Sequence, residues 1–221
     1  MRDRARRLGP ALALQTTTDD GDVGRDALGG DARRLELTGR PWTTVHQVHG
    51  AVAVVADGPG GRLDADADAI VTTAVDTPIA VFGADCSLIG LSSPEGVIAV
   101  AHAGWRGLAA GVIRTAAETM RALGATRLDV AVGPMIHPEC YPFGAADLAG
   151  VVAALGDEVR ATTPSGEPAL DLPRGVARAL DDVGATRALT LGRCTACEGG
   201  WYSFRARRDQ ARHALVLWRP A

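Results

Sequence analysis

The sequence has no apolar run that approaches the roughly 18 uncharged residues of a membrane helix, so we expect no membrane partner. The arginine-rich start lacks an apolar segment with a small-residue cleavage site, and we expect no secretory signal. The net charge is −3, which argues against nucleic-acid binding. Cysteine is scarce, with four residues in 221, and a chain of this length buries a core without disulfides. We therefore expect a reduced, cytoplasmic protein.

Hydrophobic patterning predicts a single α/β domain over residues 1–221, with mixed β-sheets flanked by helices. Residues 1–40 are polar and glycine-rich, so we expect mainly loops there, with a short strand at Ala11–Leu14 and a short helix at Ala32–Thr38. Further strands are predicted at short apolar or β-branched runs between turn residues, namely Thr43–Gln47, Val52–Ala56, Ala69–Thr72, Pro78–Phe82, Leu88–Leu91, Val97–Ala101, Leu128–Val132, Arg187–Leu191 and Ala214–Trp218. Helices that end at a glycine are predicted at about Leu108–Leu123, Ala145–Leu155 and Pro173–Val183.

One predicted strand–helix–strand run carries a candidate site. The strand Val97–Ala101, the helix that follows it and the strand Leu128–Val132 form a βαβ unit. His102 comes directly after the first of these strands, at the end where open α/β sheets usually hold ligands. The glycine-rich loop Ala103–Gly107 follows, and its Arg106 offers bidentate contacts to phosphate or carboxylate.

Two further candidate side chains lie at turns after predicted strands. Cys86 follows Asp85 at the end of a buried strand, and Asp85 is a candidate for proton handling or for orienting a metal ligand. His49 adjoins Gly50, where the backbone has room for a ligand. His46 lies three residues earlier, but residues three apart on a strand point to opposite faces, so we expect only His49 to face the site.

Together, His49, Cys86 and His102 provide two imidazoles and one thiolate, a donor set that zinc uses. Three protein ligands leave a fourth position open for water or substrate, which distinguishes a catalytic zinc site from a closed structural one. If the three side chains converge, the chain is expected to be a metal-dependent enzyme.

Two other patterns give weaker signals. The pair Cys194-x-x-Cys197 has no second Cys-x-x-Cys, so two such motifs cannot build a four-cysteine zinc site. The Glu-Gly-Gly that follows it does not continue a helix, which argues against a thioredoxin-type redox pair. Asp64, Asp66 and Asp68 alternate on an extended segment, and we expect them to be solvated carboxylates.

A series of motifs runs in order from residue 42 to the C-terminus: Gln47-Val-His-Gly50, Asp68-Ala-Ile-Val-Thr72, Ala84-Asp-Cys86, Ala101-His-Ala-Gly-Trp-Arg-Gly107, Gly133-Pro with Cys140-Tyr141, Leu170-Asp-Leu172, and Cys194-Thr195 before Tyr202-Ser-Phe-Arg205. In this order the motifs resemble the bacterial laccase-domain proteins. That family is also called the polyphenol-oxidase or purine nucleoside phosphorylase family, and some members are called peptidoglycan editing factors. The combination is far more specific than any single motif.

The resemblance implies an α/β fold and a zinc ion held by His49, Cys86 and His102. It also implies a purine nucleoside substrate, since relatives are associated with adenosine deamination and with phosphorolysis of adenosine, inosine, guanosine and methylthioadenosine. The remaining candidate residues are implied to lie near the substrate or phosphate: Gln47, Arg106, Ser203 and Arg205.

The chain departs from the family pattern at three places. Gln15-Thr-Thr-Thr18 stands where relatives carry an arginine, Met135-Ile-His137 replaces a small or cysteine-containing stretch, and Gln210-Ala-Arg212 keeps only the arginine of a Thr-Gly-Arg motif. These changes bear on phosphate handling and substrate range and leave the metal ligands untouched. Despite the laccase name, the chain has five histidines and no His-x-His pair, so multicopper oxidation is not expected.

The leading hypothesis is a zinc-dependent purine nucleoside phosphorylase that also deaminates adenosine. Zinc would lower the pKa of its bound water for attack at C6 of the base, and Arg106 would orient phosphate for attack at the ribose. The alternatives are a zinc-stabilised, non-catalytic protein of cell-wall quality control and a hydrolase in which Cys86 is the nucleophile and His102 its base. The sequence does not fix the oligomeric state.

Overall fold

A computed structural model describes residues 4–58 and 60–221 of the chain. In this part the strands are β1 (Arg6–Leu8), β2 (Ala11–Gln15), β3 (Thr43–His46), β4 (Ala53–Val55), β5 (Gly61–Asp66), β6 (Ala69–Thr72), β7 (Ile79–Gly83), β8 (Ser87–Ser92), β9 (Ile98–Ala103), β10 (Asp129–Val132), β11 (Arg160–Thr162), β12 (Pro168–Leu170), β13 (Thr186–Thr190) and β14 (His213–Trp218). The α-helices are α1 (Gly30–Thr38), α2 (Trp105–Ala110), α3 (Val112–Ala122), α4 (Ala145–Leu155), α5 (Leu172–Asp182) and α6 (Phe204–Arg207).

Two six-stranded sheets make up the centre of the molecule. The first has the strand order β1-β2-β14-β7-β3-β5, and the second has the order β13-β10-β8-β9-β6-β4. Side chains from both sheets share one apolar cluster, which therefore lies between them; it includes Leu8, Val81, Leu215 and Leu217 from the first sheet and Ile70, Leu88, Ile98 and Val100 from the second. The strands β11 and β12 form a separate antiparallel pair.

Helices cover the outer faces of both sheets. In α3, Val112, Ala116 and Met120 repeat every four residues and pack in the cluster that covers the outer face of the second sheet. The opposite face of the first sheet packs with Leu37 of α1. The molecule is thus layered as helix, sheet, sheet and helices, which confirms the predicted α/β class with mixed sheets. No helix within the described residues is long and apolar enough to cross a membrane.

The two strands of the predicted βαβ unit are parallel, but they are not neighbours in the sheet. Strands β9 and β10 run in the same direction, but β8 lies between them and is antiparallel to both. The parallel neighbours are β10 and β13, and α4 and α5 lie between them in the chain. The N-terminal segment that was expected to be mainly loops contributes β1, β2 and α1, although residues 1–3 lie outside the described range.

The prediction of one helix over Leu108–Leu123 is wrong, because two helices cover this stretch. The chain enters α2 at Trp105, and α2 ends at Gly111, which has a left-handed φ of 91° before α3 begins. The Gly111 N–H donates to the carbonyls of Gly107 and Leu108, which closes α2 as a C-cap. The break separates α2, which begins directly after the end of β9, from α3.

The segment between β3 and β4 sets the position of the site. The two strands flank a turn, as predicted, but β3 pairs with β5 and β7 in the first sheet and β4 pairs with β6 in the second. The connection therefore crosses from one sheet to the other at the ends of the strands. Residues 47–52 make this crossing and carry His49 with them.

Candidate metal centre and cavity

The three predicted metal ligands come together from three different connections. His49 lies in the crossing after β3, Cys86 lies in the loop between β7 and β8, and His102 lies near the carboxyl end of β9. One ligand atom of each lies within 4.8 Å of the others. The rings of His49 and His102 meet edge to face, with centroids 4.8 Å apart. The structure thus assembles a group that could hold a metal from residues up to 53 positions apart.

A buried carboxylate supports two of these ligands. Asp68 accepts the Nδ1–H of His102 at 2.8 Å, which leaves Nε2 of His102 for a metal. It also accepts the backbone N–H groups of Val48, His49 and Gly50 at 3.2, 3.1 and 2.6 Å. These bonds fix the turn in which His49 has a φ of 59°, a conformation that is uncommon for a residue with a side chain. One carboxylate therefore orients one ligand and shapes the backbone of another.

The expectation that Asp68 is a solvated carboxylate is wrong. Its exposed fraction is 0%, because β6 begins at the next residue and is buried along its whole length. Burial raises the pKa of this carboxyl, but the hydrogen bond and charge of His102 and the N–H donors of Gly50 and Val48 lower it overall. Asp66, two residues earlier, is exposed and pairs with the exposed His46. His46 therefore has a partner at the surface; it borders the cavity but is not part of the group that could hold a metal.

Two glycines make room for the candidate ligands and for the turn that carries His49. A Cβ placed on Gly104 would lie 2.8 Å from His49 Nδ1 and 2.9 Å from Cys86 Sγ. A Cβ on Gly107 would lie 2.7 Å from the carbonyl oxygen of Gly50. Both glycines belong to the start of α2, so this helix packs directly against the His49 turn.

Cys86 and His102 form a strongly coupled pair. Burial raises the pKa of the Cys86 thiol, but the nearby imidazoles of His102 and His49 outweigh it and lower the pKa to about 6. Burial lowers the pKa of His102, but the Cys86 thiolate and Asp68 raise it to about 9. Near neutral pH and without a cation, the pair is therefore a thiolate and an imidazolium. A metal ion bound by these residues would replace the proton on His102 Nε2.

Asp85 anchors the segment that precedes β14. Its Oδ1 accepts the hydroxyls of Thr195 and Ser203, each at 2.6 Å, and its Oδ2 accepts the backbone N–H of Arg205 at 2.7 Å. Its φ of 97° places it in the left-handed region directly before Cys86. Asp85 is thus a positioning residue that ties Arg205 to the loop carrying Cys86.

A cavity of about 540 Å³ opens beside the three ligands. Four arginines line it, which are Arg25, Arg106, Arg205 and Arg212, against the carboxylates of Asp26 and Asp85. Aromatic rings line it as well, namely Phe82, Trp105, Tyr141 and Phe204. Guanidinium groups favour phosphate or carboxylate, and flat rings favour a planar base. The lining thus combines an anion site with apolar surface.

The predicted substrate residues have different placements. Arg106 lines the cavity with its guanidinium 4.2 Å from the Trp105 ring, and Arg205 lies 4.6 Å from the Tyr141 ring. Gln47 also lines it, but its side-chain amide both donates to and accepts from the backbone of Phe82 at 2.8 Å. Ser203 is fully buried outside the lining, because its hydroxyl donates to Asp85.

Sequence reasoning missed Arg25 as part of the cavity. The sequence comparison led us to expect that this chain lacks an arginine that relatives carry at the position of Thr18. Arg25, from the loop that follows, lines the cavity of this chain. Its Nε is buried and has no hydrogen-bond partner in the described part of the chain. The sequence signal was weak, because Arg25 lies in a polar loop without periodicity.

A family model described as "Multi-copper polyphenol oxidoreductase laccase" matches residues 14–220. The chain belongs to this family. The recognition made from the ordered motifs is therefore confirmed.

Curated relatives in this family carry the name purine nucleoside phosphorylase. The one from Streptomyces griseus is 37% identical over 85% of this chain and 78% of its own length. The one from Deinococcus radiodurans is 34% identical over 79% of this chain and 68% of its own length, and the one from Pseudomonas aeruginosa is 34% identical over 84% and 76%. These names place the relatives in one broad class of enzyme.

Solved structures share the fold. A Neisseria meningitidis protein of the family DUF152 superimposes with a TM-score of 0.83 at 21% identity, over 99% of this chain and 100% of that one. The YlmD protein of Geobacillus stearothermophilus gives 0.81 at 24% identity, over 97% and 93%. The layered arrangement of two sheets and outer helices is thus common to distant members of the fold.

Proposed function

We propose that this chain is a metal-dependent purine nucleoside phosphorylase. The proposal rests on the convergence of His49, Cys86 and His102 beside a cavity lined by four arginines and four aromatic rings. The relatives named purine nucleoside phosphorylase support the same reaction class. The volume of the cavity, about 540 Å³, lies within the range of small-molecule sites.

The donor set fits a zinc ion. His49, Cys86 and His102 supply nitrogen and sulfur ligands, Asp68 orients one of them, and Gly104 leaves the space between them unfilled. Zinc bound here would supply a Lewis acid that stabilises negative charge on a reacting group. Several copper ions would need more imidazoles than the three that line this cavity, which are His46, His49 and His102, since His137 lies beside Glu139 and His213 packs beside two aromatic rings.

In the proposed reaction, the arginines bind phosphate and the rings hold the purine. Arg106 and Arg25 face the cavity, and the buried Nε of Arg25 is a donor available to an anion. A phosphate oxygen forms the bond to C1′ of the ribose while the C1′–N9 bond breaks and its electron pair leaves with the purine. Arg205, held by Asp85, closes the same wall of the cavity. The anion is thereby oriented for attack.

The deciding experiment is product analysis. Purified protein is loaded with zinc and incubated with adenosine, with and without phosphate, while adenine, ribose-1-phosphate and inosine are followed. Phosphorolysis gives adenine and ribose-1-phosphate in equal amounts and only with phosphate. Inosine that forms without phosphate shows the deamination that we propose as a second reaction of the same site. Absence of adenine, ribose-1-phosphate and inosine from adenosine, together with absence of the free base from inosine, guanosine and methylthioadenosine, would contradict the proposed function.

A matched pair of histidine variants tests the ligand assignment. His49→Gln removes a proposed metal ligand, and His46→Gln removes an exposed imidazole three residues away. We expect His49→Gln to lose metal and to lose nucleoside turnover at least about 100-fold, while His46→Gln, whose imidazole borders the cavity outside the ligand group, keeps its metal. Equal loss of metal in the two variants would show that His49 has no special role.

A cysteine-nucleophile hydrolase is the second candidate function. Asp68, His102 and Cys86 form a carboxylate–imidazole–thiol arrangement, and the pKa of Cys86 is lowered to about 6. This function predicts that metal-free protein keeps its activity, that iodoacetamide alkylates Cys86 and abolishes it, and that mass spectrometry traps an acyl-enzyme on Cys86. The phosphorylase predicts that metal-free protein is inactive before any alkylation.

A further inference from the structure

A second group of metal-binding side chains lies outside the cavity. Cys140 and Glu139 belong to the 3₁₀ turn Pro138–Cys140, and Cys194 and Cys197 belong to the turn that follows β13. One ligand atom of each of these four residues lies within 4.8 Å of the others. Three thiols and a carboxylate are thus collected in one place from two segments more than 50 residues apart in the chain.

Two sulfur atoms of the cluster have hydrogen-bond partners. The backbone N–H of His137 donates to Cys194 Sγ at 3.4 Å, and Cys194 is 1% exposed. Hydrogen bonds of this kind to a sulfur are typical of metal-thiolate sites, where they orient the ligand and tune its charge. The Cys197 thiol donates to a Glu139 carboxylate oxygen at 3.9 Å. The backbone near the cluster is fixed by a parallel bridge between Met135 and Cys194.

The residue types of the cluster suit a divalent cation. Thiolate sulfur and carboxylate oxygen are both zinc ligands, and a bound divalent metal ion draws thiols into their ionised form. Four nitrogen, sulfur or oxygen ligands within this spacing match the tetrahedral coordination that zinc adopts in structural sites.

We propose that Cys140, Cys194, Cys197 and Glu139 bind a second zinc ion in a closed structural site. Binding releases the three thiol protons to solvent and oxidises nothing. The four protein ligands leave no position for substrate, in contrast to the three ligands at the cavity. The single Cys-x-x-Cys pair is thus completed by a cysteine and a glutamate from another segment, which its spacing alone did not indicate.

The proposed ion would hold one wall of the cavity. Tyr141 follows Cys140 directly, and Thr195 follows Cys194 and donates to Asp85. The guanidinium of Arg205 lies 4.6 Å from the Tyr141 ring, and both residues line the cavity. A metal that joins the two turns would therefore hold Tyr141 and Arg205 in fixed positions relative to each other.

Metal counting tests the second site without any activity measurement. Protein is purified under reducing conditions, supplied with zinc, dialysed and analysed by elemental mass spectrometry. Since each site holds one ion, we expect about two zinc ions per chain for the wild type, about one for Cys86→Ser, about one for Cys197→Ser and almost none for the double variant. These zinc contents do not depend on whether the protein turns over nucleosides. If the second site does not bind zinc, the Cys86→Ser protein holds no zinc.

Cobalt substitution identifies the ligands. In the Cys86→Ser background, we expect Co²⁺ to give a strong thiolate-to-metal charge-transfer band, and Cys197→Ser in that background to weaken or remove it. Cys197 is exposed, so its replacement by serine leaves the fold intact, which a thermal melt checks. A Cys86→Ser protein without the band would overturn the proposal. So would a disulfide among Cys140, Cys194 and Cys197 that persists in freshly purified, reduced protein.

Discussion

Asp68 is the residue that contacts both histidines of the candidate metal centre. It holds His102 by its ring and His49 by its backbone, and it does so from a fully buried position. A buried carboxylate with four N–H donors is fixed in place, because each donor stabilises its ionised form. The geometry of two ligands is thus set by a residue that contributes no ligand atom itself.

Asp68→Asn is expected to weaken zinc binding by about 10- to 100-fold, because the amide cannot accept from His102 while presenting both oxygens to the turn. Competition with a chromophoric chelator measures this affinity. Asp66→Asn is the matched control, since Asp66 is an exposed carboxylate that pairs with His46. If both variants bind zinc as the wild type does, Asp68 has no role in orienting the ligands.

The start of helix α2 contributes to the site through two glycines, whose missing side chains leave room for neighbouring residues. Gly104 caps α2 with a φ of −65°, and its missing Cβ is what allows His49 and Cys86 to approach each other. Gly107 lets the first turn of α2 contact the carbonyl of Gly50. Both glycines therefore leave room for the turn that carries His49.

Gly104→Ala is expected to abolish zinc binding at the cavity, because a Cβ 2.8 Å from His49 Nδ1 and 2.9 Å from Cys86 Sγ must displace one of them. Gly144→Ala is a closely matched control. Gly144 caps α4 with a φ of −64°, and a Cβ there meets nothing within 4 Å. Elemental analysis of both variants in the Cys197→Ser background isolates the cavity site. Full zinc content in Gly104→Ala would contradict the packing described above.

The folded molecule as a whole buries one histidine that is hard to protonate. His213 lies in β14 with an exposed fraction of 0%, and its Nε2 has no hydrogen-bond partner among the described residues. Burial, with a smaller effect of Arg212, lowers its pKa to about 3. In the unfolded chain its pKa is about 6.5. The unfolded state therefore binds this proton first as the pH falls.

Acid is expected to destabilise the protein partly through His213. Its contribution to the free energy of unfolding is complete above about pH 6.5 and is lost towards pH 3, by up to about 1.4 kcal/mol per pH unit. Chemical denaturation across this range is compared for the wild type and His213→Leu, which cannot titrate. As the pH falls, the free energy of unfolding should decrease more for the wild type than for His213→Leu. A difference independent of pH would show that His213 titrates normally in the folded protein.

The sequence predicted the class of fold, and it predicted which three candidate ligands converge better than it predicted their surroundings. His49, Cys86 and His102 were identifiable because each follows a predicted strand and carries a soft or borderline ligand. Asp68 was missed because alternating aspartates look the same whether a strand is solvated or enters the core. The pairing of β3 and β4 with different sheets depends on long-range contacts, which local patterns do not contain. The cysteine cluster was missed for the same reason.

The most direct test of the account is the zinc dependence of phosphorolysis. Protein stripped with a chelator is assayed with adenosine and phosphate before and after stoichiometric zinc is restored, in the wild type and in His49→Gln. We predict that stripped wild type releases no adenine, that zinc restores its release together with ribose-1-phosphate, and that His49→Gln stays inactive. Undiminished, phosphate-dependent release of adenine by the stripped protein would contradict the central claim that the metal at His49, Cys86 and His102 is required for catalysis.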